Sequence, residues 1–441
     1  MPSFREVRQQ EGHPFLWLLL ALLVACAVLG VIFAVVPYLV IFLAANFFFI
    51  YVAIVYLLKF WERKAEETTS AKPAVTVIVS AYNAGKTIER AINSVLAMEY
   101  PRKTQVIVVN DASTDDTAAK LKKFGKRIET ITNRKNVGKA ASINKALREA
   151  RGEIIACIDA DTYPEPKALL KMTPHFAGRK VGAVIALVCV ETPARNFVQK
   201  IQEIEYYVSF GFWHTAMARL DSLLVTPGPM SLYSREALED VGGFDEDNIT
   251  EDMEIALHLQ EKGWRIRCTT DAKIYTEVPD NWHSLYKQRL RWLRGKIFNG
   301  RKYSHIIFGS EYGDFGKFVY PVSFIIEVLG VIVATRIIAM HGTNAFNMLF
   351  GGIGVASVDP SLLYNAGIYS NAVMNSSAFF FIFTIVVWSY IVLLSFGLAK
   401  ERIKITQAPA IIVFMTLYSA FISLVYFSSM LHEAAGVQRK W

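Results

Sequence analysis

Residues 154–161 read IIACIDAD, an apolar run that ends in Asp159-Ala160-Asp161. The run shows no alternation of polar and apolar positions, as expected of a strand buried on both faces of a sheet. Two carboxylates then stand at its carboxyl end, where open α/β sheets bind ligands. Oxygen donors of this kind suit a hard divalent cation that also holds phosphates.

The same signature repeats upstream. VTVIVS at 75–80 and QVIVV at 105–109 are β-branched runs, and a shorter run covers 128–132. Between them, 87–98 has helical spacing through Ile88, Ala91, Ile92 and Val95, and 114–124 and 140–150 also read as helices. Strands that alternate with helices predict a parallel sheet with crossover helices. Tyr82, Asp111 and Asp161 each fall just after a strand, where such a sheet opens its crevice. SAYNAGKT at 80–87 looks like a P-loop, but Ser80 stands where the first glycine belongs, so its backbone is not expected to wrap a phosphate. The glycines at 351, 352 and 354 do not lie between a strand and a helix, so a dinucleotide fingerprint is also absent.

The chain has 441 residues, of which 53% are hydrophobic, more than a globular core of this size absorbs. A bilayer is the expected sink. Residues 15–36 and 38–58 are apolar runs long enough to cross about 30 Å of hydrocarbon, with Pro37 at the turn. Arg5 and Arg8 precede the first, and Lys59, Arg63 and Lys64 follow the second, which puts both ends of the hairpin in the cytoplasm. Three more spans are expected at about 318–340, 376–398 and 408–431, with Lys400, Arg402 and Lys404 inside. Glu327 and Arg336 lie within the first of these and are functional candidates on that ground. Residues 341–375 read as outside, and Asn375-Ser376-Ser377 is a sequon there. The net charge of +8 lies largely beside apolar runs, which points to anionic headgroups. No basic stripe with interleaved aromatics argues for nucleic acid. The four cysteines, Cys26, Cys157, Cys189 and Cys268, are widely spaced and read as reduced thiols.

SAYNAG, NDAST (110–114), GKAASIN (138–144), DAD (159–161), TED (250–252) and QRLRW (288–292) occur in that order. Together they resemble the processive family-2 glycosyltransferases of membranes, which make cellulose, chitin, hyaluronan and poly-N-acetylglucosamine. The resemblance covers about 74–300. It implies an α/β, Rossmann-like GT-A domain inserted between the helical transmembrane segments of a polytopic membrane protein. The expected organisation is a cytoplasmic N-terminus over 1–14, two transmembrane helices within 15–58, a cytoplasmic GT-A domain over 72–310, and about three transmembrane helices within 318–431. Stretches at about 194–220 and 282–307 mix aromatic, apolar and charged residues and suit amphipathic helices lying on the membrane.

The resemblance also implies residue roles. Asp111 would accept from the uracil N–H, with Tyr82 stacking on the base and Lys139 near the nucleotide. Asp161 would hold Mg2+ or Mn2+, with Asp159 on the ribose or a metal-bound water; the cation would neutralise the departing diphosphate. Asp252 would be the general base that takes the proton of the attacking hydroxyl. It opens a helix read over 253–260, whose dipole favours its ionised form, and Glu251 is expected to point elsewhere. Arg291 offers a fork for a diphosphate oxygen, and Trp292, with Gln288, a platform for a sugar ring. Gly228 lets the acceptor approach the backbone, and Arg301 and Lys302 lie where relatives have a gating segment.

The expected activity is inverting, metal-dependent transfer from a UDP-sugar, with UDP-N-acetylglucosamine the first choice, onto a growing β-linked polysaccharide that leaves through the spans. The setting would be the cell membrane, and the acceptor a polysaccharide or glycolipid. Two rivals stand beside it: a distributive enzyme that loads one sugar onto a lipid, and a transporter or channel that senses a nucleotide sugar. Donor sugar, linkage and oligomeric state are not fixed by the sequence.

Overall fold

The computed structural model describes residues 68–191, 194–332 and 385–438. The expected spans at 15–36 and 38–58, the stretch 341–375 with its sequon, and Arg336 lie outside the described residues.

Eight strands form one sheet in the order β3-β2-β1-β4-β7-β6-β8-β5. The first half is parallel: β1 (Val75–Ala81) lies between β2 (Gln105–Asn110) and β4 (Ile154–Asp159), and β3 (Glu129–Thr132) pairs with β2. The alternating side chains of these runs feed two cores. Val77, Val79, Val106 and Val108 pack on one face with Ile88 and Ile92, while Ile78, Ile107, Val109 and Ile155 pack on the other with Ile143 and Phe212. Burial on both faces is why the sequence lacks alternation here.

The second half departs from the all-parallel expectation. β7 (Met230–Ser234) runs antiparallel to β4 and to β6 (Val181–Val190). β8 (Arg265–Thr276) is parallel to β6, and the three-residue β5 (Thr162–Pro164) is antiparallel to β8. An antiparallel β7 has a consequence for the site. Its first residue, Met230, pairs with Ile158, so the loop before β7 meets the carboxyl end of β4.

Beyond the sheet, a helical run starts at Phe197 and ends at Arg219, with a wider π turn over Tyr207–Trp213. Its Ile201, Ile204 and Tyr207 are buried with Val392, Phe396 and Tyr418 of the carboxyl-terminal helices. The helix Trp282–Lys302 packs along the last helix through Ile297, Tyr426 and Met430. Phe315–Ile332 and Ile405–Ala434 are helices long and apolar enough to cross a membrane, and Ile385–Leu398 is a shorter apolar helix. They occupy parts of the three carboxyl-terminal stretches read as spans. Ile325, Val386, Leu393, Ile412, Leu417 and Leu424 stand exposed on them. Glu327 is not isolated there: it takes an ion pair from Lys296 of the 282–302 helix. The described cysteines, Cys157, Cys189 and Cys268, are free and buried.

Gly152, just before β4, is fixed by backbone proximity. A Cβ there would lie 2.4 Å from Thr76 N, 2.7 Å from Ile154 O and 2.8 Å from Val75 C, none of which can rotate away. Gly152→Ala is therefore expected to destabilise the sheet by about 1–3 kcal/mol. Thermal unfolding of the detergent-solubilised chain checks this, and an unchanged midpoint would contradict it.

Candidate active site

The carboxyl ends of β1, β2 and β4 open into a cavity of about 690 Å³. Tyr82, Asp111, Lys139, Asp159, Asp161 and Arg291, six of the residues singled out from sequence, all line it.

Asp111 follows β2 and is 3% exposed. One carboxylate oxygen accepts from Asn133 Nδ2 at 2.8 Å and Val137 N at 3.0 Å, and the other from Gly138 N at 2.9 Å. Its carboxylate thus organises the loop that delivers Gly138 and Lys139. Gly138 needs its missing side chain, because its φ of 91° is in the left-handed region and starts the helix Lys139–Leu147. Tyr82 stands half exposed at the rim.

The P-loop-like segment is occupied by its own chain. Asn83 N donates to Ser113 Oγ at 3.0 Å, Ala84 N to Thr117 Oγ1 at 2.9 Å, and Gly85 N to Asp115 Oδ2 at 2.9 Å. Amides already engaged in this way form no phosphate cradle.

Lys139 is the centre of the charge cluster. Its Nζ lies 2.5 Å from Asp159 Oδ1 and 2.8 Å from Glu251 Oε1. Burial opposes its charge, but Asp159, Glu251 and Asp252 outweigh that, and its pKa stands well above the usual range. Glu251 therefore does not point elsewhere, as the sequence suggested. The helix begins at Glu251 rather than Met253, with Thr250 as N-cap, and Glu251 is buried against Lys139. Thr226 N and Oγ1 both donate to the Asp252 carbonyl, at 3.0 and 2.8 Å, which ties the loop before β7 to this helix start. Two residues on, Gly228 has no room for a side chain. A Cβ would sit 2.8 Å from both Asp159 Oδ2 and Lys139 Nζ.

Two carboxyls in the cluster hold their protons unusually tightly. Burial, then the charge of Asp159, raises Asp161 to about 6. Burial, then the charge of Glu251, raises Asp252 to about 6, against the pull of Lys139 and Arg291. Among the described residues no group of three or more His, Cys, Asp or Glu forms a metal cage. A cage is not required for Mg2+, which binds through one or two carboxylates and completes its shell with phosphate oxygens and water. Asp161, desolvated and crowded by Asp159, fits that donor set.

The QRLRW segment divides. Arg291 faces the cavity. Arg289 is buried, bonds Glu205 at 2.5 Å, donates to Gln288 Oε1, and lies 4.2 Å over the Trp292 ring. Gln288 and Trp292 are thus engaged by Arg289, and their expected contact with a sugar gains no support from this geometry. Lys302 pairs with Asp245 and Glu254, and ends a continuous helix. Glu277 lines the cavity and accepts from Tyr163 OH at 2.9 Å. It lies beyond β8 without a motif around it, so no local pattern marked it.

Residues 76–242 match the model for glycosyl transferase family 2. A poly-beta-1,6-N-acetyl-D-glucosamine synthase of Staphylococcus aureus (strain COL) is 30% identical over 236 residues, covering 53% of this chain and 57% of that protein. The synthase of the same description from Staphylococcus epidermidis is 31% identical over 224 residues, 50% of this chain and 54% of the relative. The match therefore spans little more than half the length of these relatives. A mannosyltransferase from Pyrobaculum calidifontis, solved in complex with GDP-Man and Mn2+, has the same fold: its TM-score is 0.54 at 22% identity, covering 81% of this chain and 97% of that one.

The Asp111 geometry makes a direct expectation. In Asp111→Asn, an amide would turn N–H groups toward donors that now find oxygen. Leaving buried donors unsatisfied costs about 1–3 kcal/mol. Unfolding should shift to lower temperature, and an unchanged midpoint would contradict this.

Proposed function

We propose, from the family-2 glycosyltransferase domain carried by residues 76–242, that the chain is an inverting, membrane-embedded polysaccharide synthase. It would transfer N-acetylglucosamine from its UDP-sugar to a growing β-linked chain and pass the product through its own spans. The observation that carries this reading is the convergence of Asp159, Asp161, Glu251 and Asp252 about the Lys139 ammonium, beside a cavity that Lys139, Asp159, Asp161 and Arg291 line. The similarity to the staphylococcal synthases favours N-acetylglucosamine and a polymer.

The nucleotide would lie across the sheet edge between Tyr82 and the Asp111–Gly138 loop, with Arg291 reaching its diphosphate. Mg2+ or Mn2+, held by Asp161 and Asp159, would supply charge neutralisation on the leaving diphosphate. Lys139 keeps Asp159 and Glu251 in place and lowers the local excess of negative charge. Asp252 takes the proton of the acceptor hydroxyl. Its raised pKa suits that task, since a base close to neutrality accepts a proton more readily than an ordinary carboxylate. A single displacement of this kind inverts the anomeric centre. Membrane lipid surrounds the apolar helices, and the domain of 72–310 faces the cytoplasm, where the UDP-sugar is.

A panel of UDP-sugars with the purified chain and Mn2+ tests the assignment through UDP release and product mass. UDP-N-acetylglucosamine should give the highest release and a long product. One sugar per lipid would establish the distributive alternative, and no UDP release with any sugar would remove the enzyme reading. Chelation by EDTA should abolish release, and added Mn2+ should restore it.

Asp252 must be ionised to act. With a pKa of about 6, kcat/KM should be level above neutrality and fall as the pH drops through that value, since protonation removes the base. Asp252→Asn should lower turnover by about 10²–10⁴-fold and leave UDP binding near the parental value. Parental turnover in that variant would rule out the base.

A further inference from the structure

Asp252 sits at the first turn of its helix, and the residue that caps that turn is held from outside. Thr250 is the N-cap but makes no side-chain capping bond. Its hydroxyl instead accepts from Asn299 Nδ2 at 3.1 Å and donates to Asn248 Oδ1 at 3.2 Å. Asn248 closes the ring: its Nδ2 donates to Asn299 Oδ1 at 2.7 Å, and its Oδ1 also accepts from Thr250 N at 3.1 Å. Asn299 is 0% exposed, Asn248 1% and Thr250 4%.

Three polar side chains from two distant segments are thus sealed from water and satisfy one another. Buried polar groups that satisfy each other hold one arrangement, because any shift strands a donor or acceptor. Packing adds to this. Gly295, one turn before Asn299, is pressed against Thr250, and a Cβ there would lie 2.2 Å from Thr250 Oγ1. The Asn299 carbonyl accepts from Tyr320 OH at 3.2 Å, so the ring also touches the apolar helix Phe315–Ile332.

We infer that Asn299, with Asn248, is a positioning residue for Asp252: it acts through Thr250 to set the start of the helix that carries the base. This rests on the reading of Asp252 given above. Glu251 and Asp252 follow the capped residue directly, so a loose Thr250 displaces both from Lys139 and from the reacting hydroxyl. Misplacement of about 1 Å is enough to cost about a hundredfold in rate. Tyr82, Asp111, Asp159 and Asp161 lie at the ends of β1, β2 and β4, away from the ring, and Arg291 stands about two turns before Asn299 on a helix that its other ion pairs hold, so donor binding should be largely spared.

The test compares Thr250→Val, which keeps the shape and loses the hydroxyl, with Thr250→Ser, which keeps the hydroxyl, and with Asn299→Ala. Each is assayed as the full-length chain for kcat and KM with UDP-N-acetylglucosamine and Mn2+, for UDP affinity and for thermal unfolding. Thr250→Val and Asn299→Ala should lose about tenfold or more in kcat, with KM and UDP affinity within about twofold of the parent. Thr250→Ser should recover most of the rate. In an Asp252→Asn background, Thr250→Val should cause little further loss. Parental kcat in Thr250→Val, or equal loss of kcat, KM and UDP affinity in all three variants, would overturn the inference. Asp252→Asn separates the two readings. If it is inactive while Thr250→Val is parental, only the positioning role falls; if it retains turnover, the base assignment falls and the positioning role with it.

Discussion

The site depends on a charge balance set by Lys139. Four carboxyl groups gather near it: Asp159 and Asp161, which line the cavity, and Glu251 and Asp252, at the start of the neighbouring helix. Like charges brought out of water repel and hold protons, as the raised values of Asp161 and Asp252 reflect. One buried ammonium, touching Asp159 and Glu251, offsets part of that cost. Its place is fixed by the backbone: Asp111 ties down the loop amides, and Gly138 turns the chain into the helix that starts at Lys139. Gly228 leaves the ammonium room on the other side. The two carboxyl groups that the ion pairs of Lys139 leave out, Asp161 and Asp252, are the two that hold their protons more tightly.

The 282–302 helix carries this arrangement into the apolar helices. Three of its cations, the buried Arg289 and Arg294 and the half-buried Lys296, each find a carboxylate on a different element: Arg289 on Glu205, Arg294 on Glu433, Lys296 on Glu327. A buried pair adds little net stability over a well-packed apolar contact, but breaking one partner is costly, about 3–5 kcal/mol. Such pairs therefore fix register more than they add strength. Arg291, between Arg289 and Arg294, is held at the cavity by neighbours that are themselves anchored. Glu327, which the sequence marked only as a charge in an apolar stretch, is an anchor for this helix.

The parallel half of the sheet was legible because runs buried on both faces have no alternation and end in polar residues at the ligand-binding edge. Tyr82, Asp111, Asp159 and Asp161 could be picked out for the same reason. The antiparallel β7 was not legible, since its neighbours β4 and β6 lie about seventy and forty residues away in sequence and nothing local specifies the pairing direction. β5 has only three residues, too few for a pattern. The role given to Glu251 failed on a boundary. A helix that starts two residues earlier turns that side chain into the site, and helix ends are the least certain part of any reading from periodicity. Asp111 was read as a ligand acceptor, and its oxygens also serve three donors of the chain. That use of a carboxylate depends on contacts with residues 133–138, invisible from the NDAST segment alone.

Two cavities lie near the start of the 251–261 helix, one lined by Lys139, which pairs with Glu251, and the other by Met253. The larger one lies at the sheet edge and is lined by charged and polar groups. A smaller one, about 220 Å³, is lined by Met253, Trp213, Leu257, Tyr320 and Phe324, and so lies against the apolar helix Phe315–Ile332. Asp252 and Met253 are adjacent residues, yet one faces the charge cluster and the other the apolar side. A helix start does this because consecutive side chains point about 100° apart. The boundary between the aqueous cavity and the apolar helices therefore runs through a single turn of helix. Its position is fixed on one side by Thr226 and on the other by the Asn248–Thr250–Asn299 ring. The contacts that seat this helix start therefore join it to the loop before β7 on one side and to the 282–302 helix on the other.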